Sequence, residues 1–219
     1  MNDIPALTGP RFGPVSGGAP KRMVILLHGY GANGDDLIGL APAFAQVLPD
    51  AVFVAPNAPW RCEMSPMGYQ WFDVWDQNTA DRLRQLRETA EIADAFIDAA
   101  LEEHGLADKD LVLCGFSQGT MLSLHVGLRR PRPCAGILGY SGRLEAPETL
   151  AGEIVSRPPA MLIHGEQDEL LAVALMDAAA ARLRECGVKV ETHRCPGLGH
   201  GIDPDGIRLG AGFLSVCFA

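Results

Sequence analysis

Leu111-Val112-Leu113-Cys114-Gly115-Phe116-Ser117-Gln118-Gly119-Thr120-Met121-Leu122-Ser123-Leu124 decides how this 219-residue chain is read. An apolar run, a serine with glycine two residues to either side, and an apolar continuation predict strand, sharp turn and helix. That arrangement lifts a serine hydroxyl above the carboxyl edge of a parallel sheet. Glycine is needed at 115 and 119 because side chains there would clash in a strained turn. The turn also sets the Gln118 N–H at a helix N-terminus, beside the hydroxyl, as a donor to a developing oxyanion. With 25 glycines in the chain the pattern alone is weak, so the flanking strand and helix carry the argument. Cys114 reads as a buried thiol of the strand.

Outward from this stretch, short apolar runs at Met23–Leu27, Ala51–Ala55, Ala135–Leu138 and Ala160–Ile163 read as strands buried on both faces. Val188–Thr192 alternates, as suits a strand near a sheet edge. Between the runs lie helical patterns at Asp35–Leu48, Asp81–His104, Thr120–Arg129 and Leu170–Cys186. The second is the clearest, with Leu83, Leu86, Ala90, Ala93, Ile97 and Leu101 on one face and Gly105 as its stop. Strands alternating with helices imply a mostly parallel sheet with helices on both faces, an α/β fold. Residues 1–22, with Gly9, Pro10, Gly13, Pro14, Gly17, Gly18 and Pro20 among them, form a turn-rich N-terminal segment, and residues 23–219 form one domain.

Eighteen basic against 27 acidic residues leave a net charge of −9, which excludes an overall basic footprint for nucleic acid or anionic lipid. No apolar run approaches the roughly 20 residues needed to cross a bilayer, and Met1-Asn2-Asp3-Ile4-Pro5 lacks the features of a secretory signal. Six cysteines without C-x-x-C or zinc-like spacing read as reduced, mostly buried thiols of a cytoplasmic protein.

A serine hydroxyl needs a base within reach, itself oriented by a carboxylate. For such a turn the chain order is Ser, then Asp or Glu, then His. His125 follows the turn too closely, His164 precedes the best carboxylate, and His193 lies within a strand. His200, in Pro196-Gly197-Leu198-Gly199-His200-Gly201, falls in a loop after the last strand and is the candidate base. Asp168, closing Met161-Leu162-Ile163-His164-Gly165-Glu166-Gln167-Asp168, is the candidate acid, with Glu166 and Glu169 as rivals. His164 and Gly165 read as shaping that turn, and Asp203 and Asp205 as capping the last helix.

Leu26-Leu27-His28-Gly29-Tyr30-Gly31-Ala32-Asn33-Gly34 also fits G-x-G-x-x-G, the dinucleotide fingerprint. Two features oppose that use. The second strand ends Val54-Ala55-Pro56-Asn57-Ala58-Pro59, without the acid that would hold a ribose. Asp35 and Asp36 put negative charge where a pyrophosphate needs positive field. The other use of the turn is an exposed N–H facing an oxyanion.

Taken together, Leu27-His28-Gly29-Tyr30-Gly31, Ala55-Pro56-Asn57-Ala58-Pro59, Gly115-Phe116-Ser117-Gln118-Gly119, His164-Gly165-Glu166-Gln167-Asp168 and Gly199-His200 resemble the phospholipase/carboxylesterase family. That family includes acyl-protein thioesterases and small bacterial carboxylesterases. The resemblance implies a single-domain α/β-hydrolase fold without a large lid domain. It implies Ser117, Asp168 and His200 as the triad and the Tyr30 and Gln118 N–H groups as the oxyanion hole. Members usually carry Leu where Tyr30 stands, and Pro with β-branched residues where Glu169-Leu170-Leu171 follows the acid.

Residues 60–75 hold all three tryptophans. In the resembled family this region borders the acyl-binding groove; its composition equally suits packing over the sheet or a homodimer patch. Trp71, Phe72 and Leu170 are the candidate substrate contacts. The expectation is a serine hydrolase acting on small carboxylic esters, possible thioesters or lysophospholipids included, with no metal, cofactor, nucleic acid or stable membrane insertion. A nucleotide-dependent oxidoreductase and a catalytically silent binding protein on the same fold are the other classes.

Overall fold

A computed structural model describes residues 6–219; residues 1–5, read above for a secretory signal, lie outside them. The strands are β1 (Arg11–Phe12), β2 (Arg22–Leu27), β3 (Ala51–Val54), β4 (Trp60–Cys62), β5 (Ser65–Gln70), β6 (Leu111–Phe116), β7 (Gly136–Tyr140), β8 (Ala160–Gly165) and β9 (Val190–Cys195). The helices are α1 (Gly34–Ile38), α2 (Ala41–Phe44), α3 (Thr79–His104), α4 (Gln118–Gly127), α5 (Leu150–Glu153), α6 (Ala174–Glu185) and α7 (Pro204–Cys217).

Seven strands form one sheet in the order β1-β3-β2-β6-β7-β8-β9, parallel throughout except that β1 runs antiparallel to β3. Alternate residues of each strand face opposite layers. Ile25, Leu113, Ile137 and Leu162 pack with Leu86 and Ile97 of α3, Leu122 of α4 and Leu183 of α6. Val24, Val112, Leu138 and Ile163 pack with Leu37 of α1, Phe44 of α2 and Leu214 of α7. The result is the α/β-hydrolase arrangement of a mostly parallel sheet between two helical layers. Ser117, Asp168 and His200 each follow the carboxyl end of a strand, β6, β8 and β9 respectively.

Several elements differ from the sequence reading for local reasons. The pattern at 35–48 splits into α1 and α2, because Pro42 lies in the first turn of α2, where its missing N–H is tolerated. The pattern at 170–186 becomes helical only at Ala174, because the Asp168 carboxylate takes the Leu170 and Leu171 N–H groups into a turn. Arg11–Phe12, inside the glycine- and proline-rich opening, adds an edge strand. The tryptophan-rich insert contains the separate hairpin β4–β5.

The N-terminus of α1 is closed by its own side chains. Asn33 accepts from the Asp36 N–H, Asp36 accepts from the Asn33 N–H, and Asn57 accepts from the Gly34 N–H at 2.8 Å. Three of the donors a pyrophosphate would use, the Asn33, Gly34 and Asp36 N–H groups, are therefore already engaged.

An ion cluster built around the buried Arg130–Asp108 pair ties the end of α4 to α3. Arg130, just beyond α4 and 3% exposed, donates to Asp108 at 2.8 Å and to Asp98 at 2.6 Å, and bonds Asp94 as well. Burial of Asp108 opposes its ionisation, but bonds from Arg132 and Arg130 bring its pKa below the usual value. Arg130→Met leaves Asp108 with Arg132 alone. A chemical-denaturation curve should therefore show a loss near the lower end of the 3–5 kcal/mol typical of a broken buried pair; an unchanged midpoint contradicts this role.

Candidate active site

Ser117 occupies φ 54°, ψ −114°, a conformation that costs a non-glycine residue about 1–3 kcal/mol. Neighbouring backbone holds it there. Its N–H donates to Tyr140 O at 2.8 Å, and Thr120 Oγ1 lies 2.8 Å from both Gly115 O and Tyr140 O. A Cβ on Gly115 would sit 2.3 Å from the Gly119 backbone, and one on Gly119 would sit 1.8 Å from Leu27 O. The glycine requirement is thus steric on both sides of the serine.

The candidate base and acid meet through tight loop packing. A Cβ on Gly165 would lie 2.2 Å from Gly199 O, so the glycine lets the His200 loop close over the end of β8. Ser141 Oγ donates to Gly201 O at 3.1 Å, and the ring of Phe116, next to the serine, lies 5.0 Å from the His200 ring. His200 Nδ1 is 2.7 Å from Asp168 Oδ2, and the Asp168 side chain is fully buried. Burial works against ionisation of Asp168. Bonds from the Leu171 N–H, from His200 and from the Leu170 N–H nevertheless hold its carboxyl below the usual range. Glu166 and Glu169, the rival acids, are both exposed. His125 lies buried in α4, where desolvation, with help from Arg129, takes its pKa down to about 3; His193 lies in β9.

The loop after β2 forms the third side. A Cβ on Gly29 would lie 3.5 Å from Ser117 Cβ, so the backbone entering Tyr30 runs beside the serine. The hairpin pins this loop: Gly31 N–H donates to Tyr69 O at 2.9 Å, and Tyr69 N–H donates to Ala32 O at 2.8 Å. Among the described residues the Tyr30 N–H has no backbone acceptor, and the Gln118 N–H opens α4 as one of its free first-turn donors. Both donors proposed for an oxyanion are therefore available at the sheet edge.

Trp71 and Phe72, expected at the substrate, are 0% and 1% exposed and belong to the core instead. Their backbone carries a different job. Gln118 Nε2 donates to Phe72 O at 2.6 Å, Trp71 N–H donates to Gln118 Oε1 at 2.9 Å, and Trp71 Nε1 donates to His28 O at 3.0 Å. His28 Nδ1–H donates to Gly29 O at 2.8 Å while its Nε2 accepts from Ala58 N–H at 3.0 Å. Burial lowers the His28 pKa, in keeping with this neutral ring. One network thus joins both candidate oxyanion segments to the insert. The roles of the His28 ring, the Trp71 indole and the Gln118 amide escape sequence reasoning, because the bonds that tie them to other segments each span 30 or more residues.

Leu170, by contrast, is 66% exposed next to Asp168, and Trp60, Met64, Met67 and Trp75 are exposed on the insert. The Tyr30 ring stands edge-on to Trp75 at 6.5 Å. Burial, then the hydrogen bond with Cys62, pushes the Tyr30 hydroxyl up to about 12.

The sequence profile of the Phospholipase/Carboxylesterase family matches residues 15–218. The chain belongs to this family. It is similar to Esterase YpfH of Escherichia coli (strain K12), 29% identical over 84% of this chain and 77% of the relative. It is also similar to Acyl-protein thioesterase 1 of Gibberella zeae, 27% identical over 87% of this chain and 88% of the relative. Among solved structures, esterase PE8 is 41% identical and superposes with a TM-score of 0.92 over 97% of this chain and 99% of its own. Arabidopsis thaliana SOBER1, at 24% identity and a TM-score of 0.81 over 90% and 99% of the two chains, shares the fold. Family membership makes the chain a hydrolase of the carboxylesterase/thioesterase type.

Gln118→Leu should expose the role of the insert network. It strands the Trp71 N–H and the Phe72 carbonyl in the core, at roughly 1–3 kcal/mol each. Thermal melting should fall, and kcat should fall with it at temperatures where the variant is folded; a variant with native melting and native kcat contradicts the network's role.

Proposed function

We propose that the chain hydrolyses carboxylic esters through an acyl-enzyme on Ser117, with His200 as general base and Asp168 as its orienting acid. The observation that carries this reading is the 2.7 Å contact of His200 Nδ1 with a fully buried Asp168, at the sheet edge where Ser117 is held strained. With Nδ1–H donating to the carboxylate, His200 Nε2 keeps its lone pair and serves as the base.

Ser117 Oγ attacks the acyl carbonyl while His200 Nε2 takes its proton, and the carbonyl electrons move onto an oxyanion. The Tyr30 and Gln118 N–H groups donate to that oxyanion. Collapse breaks the bond to the leaving oxygen or sulfur, which receives the proton from His200 and departs. Water then repeats the sequence at the acyl carbon, releasing the acid and restoring Ser117. Asp168 stays ionised and stabilises the imidazolium.

The substrate in this reading is an uncharged acyl group. Exposed Leu170 and the exposed apolar residues of the insert offer it a surface, and the −9 charge disfavours anchoring to an anionic membrane. The acyl group thus arrives in solution or carried by a protein, and a thioester suits the same constellation. Six free thiols fit a reducing, cytoplasmic compartment. The exposed insert is also the surface through which a homodimer would form.

Ser117→Ala should lower turnover of a short aryl ester by several powers of ten while leaving the melting temperature near native; full turnover in the folded variant sinks the assignment. Activity should fall on the acid side between pH 8 and 5. Because Asp168 is held below the usual carboxylate range, it is already ionised across that window and does not cause the loss. A flat profile there contradicts His200 as base. Rates on aryl esters and thioesters of increasing acyl length separate the two leaving groups.

A further inference from the structure

We infer that His164 is a positioning residue for the catalytic acid: its imidazole holds the turn that follows Asp168 and stands against Oδ2, the carboxylate oxygen that meets His200. This inference rests on the triad reading above. His164 ends the buried core of β8, and its side chain, like that of Asp168, is 0% exposed. Its Nε2 lies 2.7 Å from Leu171 O and 3.1 Å from Asp168 Oδ2.

Both neighbours of Nε2 are acceptors, so the proton must sit on that nitrogen; a lone pair there would face two oxygens. Among the described residues Nδ1 is buried without a partner. A second proton on Nδ1 would therefore be a buried donor with no acceptor, and the ring stays neutral. A neutral imidazole has one N–H. Here that N–H donates to the carbonyl that closes the 168–171 turn, and the same nitrogen lies against the carboxylate oxygen that receives His200.

Asp168 Oδ1 accepts from Leu170 N–H at 2.9 Å and Leu171 N–H at 2.8 Å; Oδ2 accepts from His200 at 2.7 Å and lies 3.1 Å from His164 Nε2. An ionised carboxylate offers about four lone-pair positions; three accept hydrogen bonds here, and His164 stands against Oδ2. Two backbone donors on one oxygen leave rotation of the carboxylate plane to be checked at the other. His164 is placed to supply that check, so that the lone pair aimed at His200 Nδ1 does not wander. The sequence reading assigned His164 only to shaping the turn; the bond to Leu171 O does that, and the contact with Oδ2 adds the link to the acid.

Glutamine can place its amide nitrogen where imidazole Nε2 sits, asparagine only near Nδ1, and leucine supplies no donor. His164→Leu is expected to lose 10- to 100-fold in kcat with KM nearly unchanged, the scale on which removing an outer-shell orienting partner usually acts. His164→Gln should recover most of it, and His164→Asn should not. A folded His164→Leu or His164→Asn variant with native kcat overturns the inference. Should those variants fail to fold, nitrogen-15 NMR of histidine in the native protein at pH 7 decides. A neutral Nε2–H tautomer for His164 supports the brace, and an Nδ1–H tautomer or a charged ring overturns it. If Ser117→Ala retains turnover the triad reading fails; if Ser117→Ala is inactive and His164→Leu is native-like, only the brace fails.

Discussion

Ser117 sits at φ 54° because every atom around it forbids relaxation. Gly119 lies against Leu27 O, Gly115 against Gly119, and the Ser117 N–H is held by the carbonyl of Tyr140 on the adjacent strand. These contacts join β2, β6, β7 and α4 in one packing arrangement. The strain of about 1–3 kcal/mol is sustained by the sheet core, since relaxing the turn would separate strands buried on both faces. In return Ser117 stands at the carboxyl end of β6, where the first N–H groups of α4 begin.

The remaining parts of the site are hung on this turn. The His200 loop reaches it through the close approach of Gly199 to Gly165 and the bond from Ser141 Oγ to Gly201 O. The Tyr30 loop reaches it through His28 and the hairpin, while the Gln118 amide clamps Trp71 and Phe72 beneath. Buried groups of the insert hold the loops together, while its exposed apolar side chains stay on the surface. That division explains why the insert holds both core residues, Trp71 and Phe72, and surface residues such as Met64, Met67 and Trp75. The family tie to known esterases and thioesterases matches this chemistry.

Much of this was legible in the residues. The central strands were readable because apolar runs buried on both faces have little ambiguity. A candidate serine, base and acid could be named because chain order and loop placement restrict the choice. The edge strand at Arg11–Phe12 and the hairpin were not, since short strands with glycine, proline and charged residues carry no period-2 signal. The late start of α6 was hidden because Asp168 captures the Leu170 and Leu171 N–H groups, a choice made by tertiary burial. Trp71 and Phe72 misled for a related reason: an aromatic-rich loop suggests a wall, and only the fold shows which rings point inward. The brace at His164 and the tie between Gln118 and Trp71 are likewise contacts that composition and spacing do not reveal.

The central claim is that Ser117 is an activated nucleophile at the meeting point of these loops. Reaction of the native protein with a fluorophosphonate, followed by peptide mapping by mass spectrometry, tests it most directly. The account predicts a single stoichiometric adduct on Ser117, formed rapidly at neutral pH and abolished in His200→Ala. An unlabelled Ser117 in the folded native protein, or an adduct confined to another residue, would contradict it.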